Sequence, residues 1–226
     1  MLTDARRALA SPLHRWVVVV TALVGVLAAI GLGASSPPEQ QTLAALSPPV
    51  QSLMSVTVPV FGIVLVANPD RRDRTTRIGG TLVVAAAMAV AVALFGFLVI
   101  ATALSLFASD VGPSRWQHAG PIVLGSVLVQ LVAQAVGTGL GLLLRFRVLA
   151  VLASIVLPLG LWLGLGAVTA LRDAQGWLTP FALAPILLSG QMTAHTWVQW
   201  LVMVSLWAVG LNAAGVLWSR RRGAGF

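Results

Sequence analysis

Six uninterrupted apolar runs leave this chain very few folds. They are Trp16–Leu32, Val50–Ala67, Gly80–Phe107, Pro121–Leu144, Val148–Leu171 and Trp197–Trp218, each of 17 to 28 residues and none with an ionisable side chain. About 20 apolar residues carry a helix across the hydrocarbon core of a bilayer. Backbone N–H and C=O groups find no water there, and a helix satisfies them within itself. A soluble core helix rarely stays uncharged over such a length, and six in succession argue against that class. The expectation is an all-α integral membrane protein. A single transmembrane domain covers residues 1–226, with helices at 16–32, 50–67, 80–107, 121–144, 148–171 and 197–218. The first run is longer than the apolar stretch of a secretory signal and has no convincing small-residue cleavage site.

Arginine placement orients the spans. Twelve of the fourteen basic residues fall in alternate segments: Arg6, Arg7 and Arg15; Arg71, Arg72, Arg74 and Arg77; Arg145 and Arg147; Arg220, Arg221 and Arg222. The opposite segments hold only Arg115 and Arg172. Cytoplasmic loops retain positive charge, so both termini are expected inside a cytoplasmic (inner) membrane. The formal charge of +8 is then mainly a topology signal. Scattered over four short segments, it does not form the basic face that nucleic acid requires.

Composition removes several chemistries. The chain has no Cys, Lys or Tyr, which excludes disulfides, thiol catalysis, Schiff bases and a P-loop. The six acids, Asp4, Glu39, Asp70, Asp73, Asp110 and Asp173, all lie outside the runs. Proton-driven pumps normally need an intramembrane carboxylate, so self-powered proton antiport is disfavoured. His14, His118 and His195 are too dispersed for a metal set. A lipid-modifying enzyme is disfavoured because no Asp, His, Ser and Lys cluster marks an interface. No catalytic, cofactor or metal residue is assigned.

The loops carry more character. "NPDRRDRTTRIGG", residues 68–80, joins spans 2 and 3. Asn68 suits an N-cap and Pro69 a first helical position. Asp70/Arg74 and Asp73/Arg77 are i,i+4 pairs in the favourable order, and Gly79 and Gly80 are plausible stops. The segment reads as a short cytoplasmic helix. Its residues Asp70, Arg71, Arg72, Asp73, Arg74 and Arg77 are candidates for docking a cytoplasmic partner; a solvated positive-inside loop is the alternative. Residues 1–15 mix apolar side chains with arginine and read as an interfacial helix, set off from span 1 by Pro12. Outside, 34–49 reads as irregular. Trp177–Gly190 is apolar but too short to span, and with Pro180 and Pro185 as breaks it reads as one or two short re-entrant helices.

Polar residues within the spans include Ser52, Thr57, Gln130, Gln134, Thr138 and Asn212. Gln130, Gln134 and Thr138 share one helix face. With Thr57 and Asn212 they would line a path or a subunit interface, or else bond neighbouring helices in a static bundle. "GTGLG" at 137–141 lies inside a span with no preceding strand, so it is no nucleotide loop. Gly137 with Gly141, and Gly160 with Gly164, are expected to permit close helix packing. Pro59 and Pro158 are expected to kink spans 2 and 5.

Three stretches carry a family resemblance: "GTGLGLLLRFRVLAVLASIVLPLGL", "WLTPFALAPILLSG" and "LWAVGLNAAGVLWSRRR". Their order resembles the type-2 ABC-transporter permeases, export-type membrane subunits of bacteria. The resemblance implies an N-terminal interfacial helix, six spans, a coupling helix between spans 2 and 3 and re-entrant helices before span 6. It implies half of a translocation path for an amphipathic, lipid-like or drug-like substrate. A second permease subunit, identical or homologous, and a cytoplasmic ABC ATPase would complete the exporter within membrane lipids. ATP and Mg would bind that ATPase, since this chain is not itself an enzyme. The 68–80 stretch departs from the family's E-x-x-x-G-T-like pattern, with Asp and Arg where Glu is common. The competing class is a non-transporting membrane scaffold or assembly subunit.

Overall fold

The computed structural model describes residues 12–66, 74–107 and 113–223. Among these residues the chain is helical with no strand, and six helical stretches are long and apolar enough to cross a membrane. α1 (Pro12–Ser35) is the first span. α2 (Leu43–Ser55) and α3 (Val58–Val66) together make the second. α4 (Arg74–Phe107), α5 (Ala119–Leu143) and α6 (Arg147–Ala167) are the third to fifth. Two short helices, α7 (Gln175–Leu178) and α8 (Pro180–Leu188), precede the last span. That span consists of α9 (Ala194–Val204), a π-helical turn at Ser205–Gly210 and α10 (Leu211–Gly223).

Several boundaries differ from expectation. Span 1 is helical from Pro12, the first described residue. Residues 1–11, which hold most of the expected interfacial helix, lie outside the described residues. Leu43–Pro49, expected irregular, is already helical and capped by Thr42, whose hydroxyl accepts from Ala45 N at 3.3 Å. The turn before it is sealed by Gln41, whose Nε2 donates to Gly33 O (3.2 Å) and Ser36 O (3.0 Å). Those carbonyls at the end of α1 have no helical partner of their own. Pro185 sits within α8 and does not end it. Span 5 stops at Ala167 and continues as a 3-10 helix, Thr169–Ala174.

Pro59 has the expected effect. Span 2 is interrupted at Val56–Thr57, where Val56 N donates to Leu53 O (3.3 Å) and Thr57 N to Met54 O (3.2 Å). The bonds tighten to i−3 because Pro59 has no N–H to continue the i−4 ladder. α6 by contrast runs unbroken through Pro158.

The expected separate helix between spans 2 and 3 is corrected in part. Residues 74–79 are the first described turns of α4, and Gly79 and Gly80 lie inside it. Asp70, Arg71, Arg72 and Asp73 lie outside the described residues. At 34 residues and ~1.5 Å per residue, α4 is about 51 Å long. That exceeds the ~30 Å hydrocarbon core.

Spans 2 and 4 form the centre. About half of span 2 and 44% of span 4 are buried, against 17% of span 5. The two central helices run parallel: Gln51 meets Gln130, Gly62 meets Gln134 and Thr138, and Ile63 meets Gly141. One apolar core lies between α1, α2 and α4 around Leu46, Met54 and Ile100. A second lies between α5, α8 and α9 around Val132, Leu187 and Met203.

Candidate functional site

Spans 2 and 4 approach closely because their contact positions lack side chains. A Cβ on Gly62 would lie 2.7 Å from Thr138 N and 2.8 Å from Gln134 O. A Cβ on Gly141 would lie 2.9 Å from Ile63 Cα, and Gly137 abuts the Pro59 backbone. The expected packing role of Gly137 and Gly141 is therefore seen. Gly160 and Gly164 correct the same expectation: no atom lies within 4 Å of where their Cβ would be. They share the spacing but face outward from a sparsely covered helix.

Along this contact runs a polar seam. Gln51 and Gln130 are fully buried. Gln130 Nε2 donates to Gln51 O (3.1 Å) and Gln51 Oε1 (3.0 Å), while Gln51 Nε2 donates across to Ala93 O on α4 (3.0 Å). One turn further, the Gln134 amide, oriented by its partners, donates to Val58 O (2.8 Å) and accepts from Gly62 N (3.1 Å). Val58 O and Gly62 N are an i,i+4 pair of α3, so Gln134 braces the restart of span 2 just past its break. Next comes Thr138, whose hydroxyl donates to Asn212 Oδ1 (2.9 Å) on α10. Asn212 Nδ2 donates back to Ala135 O (2.8 Å) and to Ala208 O (2.7 Å) in the π-helical turn. Thr57, at the break, shares a 2.6 Å bond with Thr21 of α1.

The five residues expected to line a path or interface thus divide. Gln130, Gln134 and Thr138 are buried and bonded to other helices of the same chain, with Asn212 joined to them. Thr57 bonds to span 1 and stands apart from that row. Gln51, Ser47 and Ser126 extend the seam toward the other end, all three buried. Sequence spacing showed only the α5 side of the seam; the matching Ser47 and Gln51, four apart on α2, were its overlooked signal.

A cavity of about 90 Å³ flanks the seam. Its wall is built from the break in span 2 (Ser55, Val56), the middle of α5 (Val132, Val136), Ile155 on α6 and Phe181 on α8. These positions lie near the midpoints of their spans. α8 therefore reaches the middle of the bundle, as a re-entrant helix would. The α7–α8 turn is held by Trp207, whose Nε1 donates to Leu178 O at 2.7 Å. The far end of α8 closes at Gly190, whose φ of +75° favours glycine, tucked against His118.

At the two ends of the bundle charge is uneven. The connectivity of six alternating spans puts Arg15, the start of α4, Arg145 and Arg147, and the end of α10 at one end. Glu39, Arg115, Arg172 and Asp173 fall at the other. Among the described residues no three His, Asp or Glu gather as metal ligands.

The chain matches no family model, no curated protein and no solved structure.

Proposed function

We infer that this chain is the membrane-spanning permease subunit of an ATP-binding-cassette exporter, with both termini and the arginine-bearing end in the cytoplasm of a bacterial cell. The observation that carries this reading is the short helix pair before span 6, with α8 reaching the level of the break in span 2. A broken span and a re-entrant helix meeting near the midplane are parts that transporters use to build a path. The long α4 supports the coupling half of the reading, because a helix of 34 residues is longer than the hydrocarbon core needs and leaves length for its arginine-bearing start to meet a partner. Residues 68–77, with Asp70, Arg71, Arg72, Asp73, Arg74 and Arg77, would receive the push of a separate ATPase that binds ATP and Mg. A second permease subunit would complete the path for an amphipathic, lipid-like or drug-like substrate.

The test is co-purification. The chain isolated from its own host should bring an ATPase with it. Arg72→Ala with Arg74→Ala should weaken that partnership while insertion stays intact, because eight arginines at 1–15, 145–147 and 219–226 remain to hold the topology. An unaffected ATPase would defeat the docking role.

A second reading, a non-transporting scaffold, is favoured by one observation. Gln130, Gln134, Thr138 and Asn212 spend their side chains on helix-to-helix bonds and none lines the cavity. Substrate-dependent stimulation of a partner ATPase in vesicles separates the two, since a scaffold gives none.

A further inference from the structure

The midplane cavity has a wall of unusual character for a gap beside so many amides. Three serines line it, Ser52, Ser55 and Ser154, and two of them have spent their hydroxyls: Ser55 Oγ donates to Ser52 O (2.7 Å) and Ser154 Oγ to Val151 O (2.8 Å). The rest is mostly valine, isoleucine, alanine, proline and aromatic carbon. Its volume of about 90 Å³ is several times the roughly 10–15 Å³ that one water needs. Water requires two to four polar partners, and apolar cavities stay dry. An empty void forfeits dispersion contacts around its whole lining.

The cavity is not sealed. Val56, Ile155 and Phe181 on its rim are 40%, 37% and 38% exposed. They belong to the same midspan belt as the outward-facing Val156, Leu159 and Leu163 of α6, a belt that faces hydrocarbon if these spans cross a bilayer. The material at the mouth is then lipid chain, supplied at very high local concentration. Chain ends of bilayer lipids lie at this depth, whereas headgroups lie about 15 Å away.

We propose that this cavity is a hydrocarbon-chain site, which takes in the terminal segment of a bilayer phospholipid's acyl chain between Val56, Ile155 and Phe181. Val132 and Val136 form its floor, and α8 carries Phe181 as one jamb of the opening. Selection is by shape and apolarity alone, so the site discriminates chain from headgroup and not one headgroup from another. The inference needs only that the six spans cross a bilayer. It stands whether the chain is a permease subunit or a scaffold, because its test reads neither transport nor ATPase partnership.

The experiment reconstitutes the full chain in phosphatidylcholine vesicles. A small fraction of the lipid carries a photoreactive diazirine, either at the end of the acyl chain or close to its ester. After irradiation, labelled positions are mapped by peptide mass spectrometry. Val132 and Val136 are buried, so they are labelled only by a chain that enters; outward-facing Leu163 is the internal standard. The terminal diazirine should label Val132 or Val136 along with Leu163, and the ester-proximal one should label neither valine. Ala133→Phe should fill the cavity and abolish the valine signal while Leu163 remains labelled. Ala184→Leu, which fills it from α8, is the second variant should the first fail to insert. The proposal is overturned if the valines stay unlabelled while Leu163 reacts. It is equally overturned if both filling variants leave the valine signal unchanged, or if the valines react only after dilution to monomers, since a second copy then covers the mouth.

Discussion

The Gln130 amide donates at once to the backbone carbonyl and the side-chain oxygen of Gln51, at 3.1 and 3.0 Å, across two parallel helices with no exposed atom on either residue. An amide in that position ties helices together and resists exchange of partners, because neither water nor lipid offers it another.

Replacing Gln130 by Leu should therefore destabilise the chain in detergent, by about 1–2 kcal/mol. Interhelical hydrogen bonds in membranes contribute roughly 0.6 kcal/mol on average and up to about 1.7, and the orphaned Gln51 oxygen adds to the loss. A double-mutant cycle with Gln51→Leu should recover part of it, since the paired change leaves no stranded acceptor. Thermal unfolding of the purified variants checks this. Additive losses would mean the two amides act independently.

Two glycines within spans, Gly62 and Gly160, should behave in opposite ways. Gly62→Ala places a methyl against backbone atoms of α5, which cannot turn aside; overpacking of this kind costs about 1–3 kcal/mol. Gly160→Ala meets no atom within 4 Å and removes a flexible residue from a helix interior, a gain of up to about 1 kcal/mol. The midpoints of thermal unfolding should move in opposite directions from the parent chain. A fall for both would show that something covers Gly160.

How much of this was readable beforehand depended on whether the signal was local. Six spans were legible because uncharged length is a property of a single segment; the missing N–H of proline was a weaker local signal, since span 2 is interrupted before Pro59 while α6 is continuous through Pro158. The helical Leu43–Pro49 was not legible, since Pro48 and Pro49 look like loop residues, although prolines are tolerated in spans whose neighbours re-satisfy the backbone. Gln130, Gln134 and Thr138 announced one polar face. Their partners Gln51, Val58 and Asn212 sit about 75 residues or more away in sequence, where periodicity carries no information. Gly160 with Gly164 looked identical to Gly137 with Gly141 for the same reason: spacing shows that a face is flat and says nothing of what lies on it. The π-helical turn at Ser205–Gly210 left no trace in composition at all.

Orientation is open to direct chemistry because the chain has no cysteine of its own. Glu39→Cys and Ser114→Cys should react with an impermeant maleimide added to intact cells, whereas Phe146→Cys should react only after the cells are opened. All three positions are exposed. Reaction at residue 146 in intact cells, with protection at 39 and 114, would place the arginine-bearing end outside and remove the basis for a cytoplasmic docking surface.

The last prediction concerns what holds the α7–α8 pair in place. Trp207 lies in the π-helical turn of span 6, and its indole N–H donates to Leu178 O at 2.7 Å. Leu178 is the last residue of α7, where helix carbonyls have no following N–H to accept from. That bond therefore satisfies a group the short hairpin cannot satisfy alone, at a depth where water is scarce. Trp207→Phe keeps most of the ring and its packing but removes the donor, so the loss is confined to one hydrogen bond, on the order of 1 kcal/mol. A change of that size leaves the six spans inserted but raises the open population of the hairpin several-fold. Hydrogen exchange measured by mass spectrometry should quicken over residues 175–188, while α2 and α5 stay protected as in the parent chain. Trp16→Phe is the control: Trp16 is exposed near the start of α1, and exchange over residues 175–188 should not change. If Trp207→Phe leaves residues 175–188 as slow as before, the hairpin is held by its packing on α2, α5 and α9, and this hydrogen bond from the turn in span 6 has no part in positioning it.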